Sequence, residues 1–147
     1  DMNDYVKMLE NLQWYMDQPI LPYDDPRFSY PTGMLGDIEI RFNHYKTFEE
    51  AVNKWEKRKR RIDWDNLFIL GIDGDNCTYE SIRRFNALPY KHKVIFTHKE
   101  YPEFESAYYI KGFEQETGVG VLLGFKQQFL VRRYLDDFDY ISFLNGR

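Results

Sequence analysis

The sequence predicts an α/β protein with a mostly parallel sheet of at least three strands, crossover helices, and additional strands toward the C-terminus. Strand patterns lie at about 37–43, 67–72 and 93–97, and a helical pattern separates each one from the next. Two strands joined by a helix are usually parallel, with a right-handed crossover. At 147 residues, the chain is expected to form a single α/β domain, 1–147.

The central strand–helix–strand unit has the clearest patterns. Residues 37–42 (DIEIRF) alternate polar and apolar side chains, which is typical of a strand with one buried face. Residues 47–50 (TFEE) fit a capping box, so a helix is expected from there. Trp55 falls on the apolar side of that helix, and we expect it to be buried against the sheet. The continuous apolar run at 67–72 predicts a strand buried on both faces.

The elements on either side follow from periodicity and from proline positions. Residues 1–16 predict an amphipathic helix, and the prolines after it predict an extended connector. A helix is expected from about Thr78 until Pro89 stops it, and KVIFT at 93–97 predicts the third strand. The last third predicts a strand at 107–113, close packing or a bulge at 119–125, a helix at 127–135, and a short strand or final turn at 139–144.

Composition excludes several classes of protein. A net charge of −4 argues against binding of the whole molecule to nucleic acid or another polyanion. Cys77 is the single cysteine, so the chain has no internal disulfide and no cysteine-based zinc site. No apolar run approaches the roughly 20 residues of a membrane span, and no signal peptide is visible. A cytoplasmic protein is therefore expected, and its oligomeric state is not predicted.

Chain direction predicts where a site would lie. If the three strands are parallel, their carboxyl ends share one edge of the sheet, which is where ligands of open α/β sheets bind. Polar residues follow each of these ends: Asn43 and His44, then Asp73 and Asp75, then Thr97 and His98. We expect this shared edge to hold any active site, with Asn43 and Thr97 binding substrate.

Asp73-Gly74-Asp75 has two interpretations. An Asp-x-Asp pair after an apolar strand is a form found in metal-dependent sugar-nucleotide transferases, and carboxylates suit a divalent metal such as Mg²⁺ or Mn²⁺. The same residues are those expected of a tight turn. His44 and His98 are candidate general bases because an imidazole titrates near neutrality, although a histidine at a strand end is often structural. His92 is expected to be exposed.

The basic turns of the central helix also have two interpretations. The cluster between Lys54 and Arg61 is either a solvated helix face or an anion site, in which Arg58 and Arg61 would bind a phosphate or sugar nucleotide. Asp37 and Glu39 on the first strand could do acid–base chemistry. We favour instead ion pairs between these carboxylates and the two arginines.

The run DIEIRFNHY, followed by a helix with the pattern A-x-x-x-W-x-x-R and then RRIDWDNLFI, resembles a bacterial family of domains of unknown function, number nineteen-nineteen. Its members are often labelled exopolysaccharide biosynthesis proteins. The resemblance extends over nearly the whole chain and implies an α/β fold and a link to surface polysaccharide assembly. Family members usually carry an upstream segment rich in Ser, Asn and Cys, which this chain is expected to lack.

Two functions are compatible with these observations. The first is an enzyme of polysaccharide assembly that transfers or hydrolyses a sugar or phosphoryl group at the shared edge. The second is a non-catalytic module that binds a glycan or a partner protein. A sugar nucleotide or a glycan is the expected partner in either case, and a divalent metal is the expected cofactor of the first.

Overall fold

The computed structural model describes residues 1–74, 76–126 and 131–146. The chain has a mixed α/β fold with two three-stranded sheets, one antiparallel and one parallel. Contacts divide it into two compact units, one formed by Lys7–Asp65 and the other by Asp1–Val6 with Asn66–Arg147. The first helix, α1 (Met2–Glu10), contributes residues to both units. The prediction of a single domain stays a prediction.

The unit Lys7–Asp65 is built on an antiparallel sheet in the order β1-β2-β3. It contains α2 (Leu12–Asp17), β1 (Ile20–Tyr23), β2 (Thr32–Leu35), β3 (Ile38–Arg41) and α3 (Phe48–Lys59). A two-residue turn joins β2 to β3, and its Gly36 has a φ of +61°, which few other residues adopt readily.

The prediction that the strand at 37–43 belongs to the parallel sheet is wrong. This segment forms β3, whose hydrogen-bonded neighbour is β2 and not β4. The sequence does not predict β2, because Gly33 is the kind of residue that usually marks a turn. A Cβ at Gly33 would lie 2.7 Å from Ile20 Cγ2 and 2.9 Å from Phe48 Cε2. Glycine therefore stands inside this strand because neighbouring side chains leave no room for a Cβ.

The core of this unit confirms the predicted helix, but Trp55 is half-buried where full burial was expected. Thr47 caps α3, since its hydroxyl accepts a hydrogen bond from the backbone N–H of Glu50 at 3.2 Å. Leu35, Ile38 and Ala51 are buried in one cluster, against which Trp55 packs half-buried. The strands and α3 therefore share one apolar core.

The ion pairs of this sheet differ from those expected. Glu39 accepts hydrogen bonds from Arg41 at 2.7 Å and from Arg27 at 3.2 Å, and Asp37 pairs with Lys7. The predicted pairing of Asp37 and Glu39 with Arg58 and Arg61 is therefore wrong, because nearer cations satisfy both carboxylates. Arg58 and Arg61 are exposed. Their role in binding a phosphate stays a prediction.

The loop between β1 and β2 is ordered by the buried carboxylate of Asp25. That carboxylate accepts hydrogen bonds from the backbone N–H and the guanidinium Nε of Arg27, both at 2.9 Å. The backbone N–H of Asp25 donates to Thr32 Oγ1 at 3.3 Å, and Thr32 Oγ1 donates to the carbonyl of Tyr23. The loop therefore has a defined conformation although half of its residues are exposed.

We expect Asp25 to contribute to the acid sensitivity of the fold. Hydrogen bonding to Arg27 lowers the pKa of Asp25 to about 2, below the value of about 3.9 for an unfolded chain. The pair therefore stabilises the fold above about pH 4, and this contribution is lost as the pH falls from about 4 to about 2. Thermal unfolding of Asp25→Asn at neutral pH and near pH 2.5 should give a smaller acid-induced fall in Tm than wild type. An equal fall in both proteins would contradict this assignment.

The second unit confirms a three-stranded parallel sheet, in the order β4-β5-β6. Its strands are β4 (Phe68–Ile72), β5 (His92–Thr97) and β6 (Ala107–Tyr109), with α4 (Tyr79–Ala87) between the first two. The predicted crossover between residues 67–72 and 93–97 is therefore correct, but the third parallel strand is β6. The expectation of burial on both faces is wrong for β4, which lies at the sheet's edge with Leu70 and Ile72 47% and 45% exposed.

The last third departs most from the prediction. Residues 119–125 form turns and one isolated bridge, and the close packing expected there is confirmed at Gly120, where a Cβ would lie 2.7 Å from Phe113 Cε1. Part of the helix expected at 127–135 falls on 127–130, which lie outside the described residues. A 3-10 helix occupies Tyr134–Asp137, and the predicted short strand or turn at 139–144 is α5 (Tyr140–Leu144).

Candidate functional site

The carboxyl edge of the parallel sheet carries two of the predicted site residues in direct contact. Asp73 follows β4 and His98 follows β5, and these strands are hydrogen-bonded neighbours. His98 Nδ1 lies 2.6 Å from Asp73 Oδ2. The backbone N–H of Asp73 donates to the carbonyl of Phe96 at 2.9 Å, which fixes the carboxylate beside the end of β5.

Among the described residues, the Asp73 carboxylate accepts hydrogen bonds at both of its oxygens. Oδ2 accepts the backbone N–H of His98 at 2.8 Å as well as the imidazole, and Oδ1 accepts the backbone N–H of Val119 at 2.8 Å. The residue is only 2% exposed. These hydrogen bonds offset the free-energy cost of burying a carboxylate, so the side chain acts here as a hydrogen-bond acceptor.

These contacts determine the orientation of the His98 ring. A carboxylate only accepts hydrogen bonds, so Nδ1 carries the hydrogen and, in the neutral ring, Nε2 has the free electron pair. Nε2 has no hydrogen-bond partner in the described part of the chain, and the side chain of His98 is 11% exposed. The imidazole is thus held at one nitrogen and open at the other, as a general base requires.

A glycine lets the loop after β6 reach Asp73. A Cβ at Gly118 would lie 2.1 Å from the carbonyl oxygen of Asp73 and 3.0 Å from Gly74 Cα. Both of these are backbone atoms, so no side-chain movement can relieve the contact. Only glycine allows the N–H of Val119 to approach the carboxylate as closely as it does.

We expect Gly118→Ala to lower the free energy of unfolding by about 1–3 kcal/mol, the usual range for overpacking. The matched control is Gly74→Ala, where nothing lies within 4 Å of the added Cβ. Urea denaturation of both variants provides the measurement. Equal stability of the two variants would mean that the loop does not pack against Asp73.

Two side chains near this pair were not singled out from the sequence. Burial and the negative charge of Asp73 raise the pKa of the Cys77 thiol to about 11. Burial and then the charge of Asp73 also raise the pKa of Tyr101. The ring of Tyr101 is stacked near Phe104, and Tyr79 contacts both rings. The three rings therefore form an aromatic cluster, and its Tyr101 lies within the electrostatic influence of Asp73.

A glycine-rich cleft of about 560 Å³ opens at the same edge. It is lined by backbone of Gly74 and Gly118 and by side chains that include Glu116, Thr117 and Tyr134. Its volume is within the range of ligand-binding pockets. The cleft therefore lies beside the loop whose Val119 contacts Asp73.

The other predicted site residues are placed as follows. Thr97 is fully buried, and its hydroxyl donates to the carbonyl of Lys99 at 2.8 Å. Asn43 and His44 are exposed and follow β3 of the antiparallel sheet, so the shared-edge argument that grouped them with Asp73 is wrong. Catalysis by His44 and substrate binding by Asn43 and Thr97 stay predictions.

The metal site predicted at Asp73 and Asp75 stays a prediction. Asp75 lies outside the described residues, and the oxygens of Asp73 are already hydrogen-bonded. Within residues 1–74, 76–126 and 131–146, no group of three or more His, Cys, Asp or Glu side chains is arranged to hold a metal ion. In the same residues, no helix is long and apolar enough to cross a membrane.

Comparison with known proteins places the chain in a family. A protein of Haemophilus influenzae (strain ATCC 51907 / DSM 11121 / KW20 / Rd), described as an uncharacterized protein, is 46% identical over 142 residues. The alignment covers 97% of this chain and 68% of that relative. A family model described as Domain of unknown function (DUF1919) matches residues 1–145, and the chain therefore belongs to this family.

Proposed function

We propose that the protein is an enzyme that transfers or hydrolyses a sugar or phosphoryl group, with His98 as its general base. One observation carries the proposal: the buried carboxylate of Asp73 holds the imidazole of His98, whose second nitrogen has no hydrogen-bond partner among the described residues. The pair stands at the carboxyl edge of a parallel sheet, the usual ligand-binding edge of such sheets.

The proposed reaction uses His98 Nε2 twice. Nε2 takes the proton of a water or an acceptor hydroxyl while that oxygen bonds to the carbon or phosphorus of the transferred group. The electron pair of the broken bond departs with the leaving group, which takes the proton from the imidazolium. Asp73 keeps the ring in the required tautomer and stabilises its charged form.

Cys77 is a poor candidate for the nucleophile. Its thiol has a pKa raised to about 11, so the reactive thiolate is scarce at neutral pH. The two causes, burial and the charge of Asp73, both favour the neutral thiol. Direct attack by water or by an acceptor hydroxyl fits the site better than a covalent thioglycoside or phosphocysteine intermediate.

The aromatic cluster supports a saccharide substrate. Tyr79 is 53% exposed, its ring centroid lies 6.1 Å from that of Tyr101, and burial and then the charge of Asp73 raise the pKa of Tyr101. Aromatic faces attract the weakly positive C–H groups of a sugar ring. The family resemblance to exopolysaccharide biosynthesis proteins supports the same class, with a sugar nucleotide as donor. A divalent metal at Asp73 and Asp75 is an alternative to the Asp73–His98 pair, because the Asp73 oxygens that would bind it already accept hydrogen bonds, and adding EDTA tests it.

The experiment is a turnover assay with a panel of sugar nucleotides, with and without an acceptor oligosaccharide and with Mg²⁺, Mn²⁺ or EDTA. Release of the nucleotide leaving group is the signal. His98→Gln should lose about 10²–10⁴-fold in turnover, the usual contribution of a general base. The matched control is His92→Gln, at the opposite end of the same strand β5, which should retain the wild-type rate.

Two outcomes would overturn the proposal. One is full turnover by His98→Gln with the fold intact. The other is saccharide binding without turnover of any donor in the panel, which would favour a non-catalytic glycan-binding module. Loss of turnover in His92→Gln to the same extent would also count against a specific role of His98.

A further inference from the structure

A second cleft lies in the unit Lys7–Asp65, on its antiparallel sheet. It has a volume of about 360 Å³ and lies between the β1–β2 loop and the start of α3. Tyr23 at the end of β1 lines it together with Asp24 and Tyr30 of the loop, and Lys46 and Phe48 line it from just before and at the start of the helix. None of these residues belongs to the Asp73–His98 site.

The aromatic rings of this cleft are held in place before any ligand arrives. The rings of Phe28 and Tyr30 are stacked, with centroids 5.0 Å apart and planes 20° apart. The guanidinium of Arg41 lies 4.5 Å from the centroid of Phe28 and donates a hydrogen bond to the carboxylate of Glu39. Tyr23 is 43% exposed at the cleft. Rings fixed in this way lose little conformational freedom when a ligand stacks on them.

The charges around the cleft are balanced. Arg27 and Arg41 are neutralised by Asp25 and Glu39, through the ion pairs of the loop and of β3. In the cleft itself, the negative charge of Asp24 is balanced by the positive charge of Lys46. A polyanion such as nucleic acid gains no net attraction from this arrangement, since its binding depends on unpaired cations.

The polar lining suits a ligand with many hydroxyl groups. Asp24 offers carboxylate acceptors and Lys46 offers ammonium donors, and neither takes part in an ion pair or side-chain hydrogen bond within the described residues. Ser29 and Thr47 add hydroxyls that both donate and accept. A pocket that combines fixed aromatic faces with acceptors and donors of both signs matches a pyranose ring, whose faces are apolar and whose rim is hydroxylated.

We propose that this cleft is a saccharide-binding site, separate from the catalytic edge. One pyranose ring stacks on the Tyr30 side of the Phe28–Tyr30 pair, and its hydroxyls bond to Asp24 and Lys46. The cleft thereby holds a glycan independently of any reaction at His98. The proposal does not depend on the chemistry proposed for the parallel sheet.

The test uses the full chain on an array of neutral and acidic oligosaccharides, followed by titration of the best-retained one by calorimetry. Tyr30→Ala should weaken its binding by at least about tenfold, or about 1.4 kcal/mol. Asp24→Asn and Lys46→Gln change exposed side chains, which rarely affects folding, and should each weaken binding too. The matched control is Trp64→Ala, an exposed aromatic of the same unit outside the cleft, which should bind as wild type does.

Binding measured with Tyr30→Ala and with His98→Gln distinguishes this site from the proposed catalytic site. Saccharide binding that is lost in Tyr30→Ala and kept in His98→Gln supports the cleft, whether or not turnover is ever found. Binding that is kept in Tyr30→Ala and lost in His98→Gln assigns the saccharide to the parallel sheet alone and overturns the inference. If the protein binds no oligosaccharide on the array, the inference is overturned as well.

Discussion

Asp73→Asn is expected to reduce turnover by about 10²–10⁴-fold, nearly as much as loss of His98 itself. The carboxylate does not touch the reacting atoms in this proposal, so the effect acts through the ring of His98. With an amide in place of the carboxylate, the amide N–H₂ can donate to Nδ1. That contact favours the tautomer with hydrogen on Nε2, which cannot accept a proton from the substrate.

The same substitution also has a cost in stability. Oδ1 accepts the N–H of Val119 and Oδ2 accepts the N–H of His98, so the new N–H₂ group faces a backbone donor in either orientation. An unsatisfied buried donor costs about 1–3 kcal/mol. We therefore expect Asp73→Asn to be less stable to urea than His98→Gln but still folded at room temperature.

A kinetic comparison distinguishes positioning from a merely structural role. At a temperature where circular dichroism gives a folded protein, kcat should fall in Asp73→Asn while KM changes little. The matched control is Asp17→Asn, which removes an exposed carboxylate and should leave both kinetic constants unchanged. Wild-type kcat in folded Asp73→Asn would show that the ring of His98 needs no orienting carboxylate.

Local sequence patterns predicted the strands better than their partners. The alternation in residues 37–42 correctly indicates a strand with one exposed face, as β3 is. Such alternation is itself typical of antiparallel sheets, whereas strands of parallel sheets are usually continuous apolar runs. The strand–helix–strand pattern through α3 nevertheless favours a parallel pairing of this strand with the one at 67–72. The helix in fact joins two different sheets, because strand pairing is decided by long-range contacts that a local pattern does not contain.

The same distinction explains the candidate site. Asp73 and His98 were correctly expected at one edge because α4 really is a crossover between neighbouring parallel strands. The contact of Val119 with Asp73 comes from a loop 46 residues further along the chain, and no periodicity encodes it. Gly118 was the available signal, since a glycine beside an apolar residue marks a close backbone approach. His44 was grouped with this edge only through the misassigned pairing of β3.

Trp55→Ala is expected to lower the free energy of unfolding by about 3–5 kcal/mol, the largest stability effect that we predict. The indole packs against the cluster that includes Leu35 and Ile38, so truncation leaves a cavity between α3 and the antiparallel sheet. Its Nε1 is buried and, within the described residues, has no hydrogen-bond partner. Trp55→Phe removes that unsatisfied donor and keeps most of the apolar contact, so it should cost less than about 1.5 kcal/mol. Urea denaturation of both variants measures the difference, and a loss below about 1 kcal/mol in Trp55→Ala would mean that the indole does not support this core.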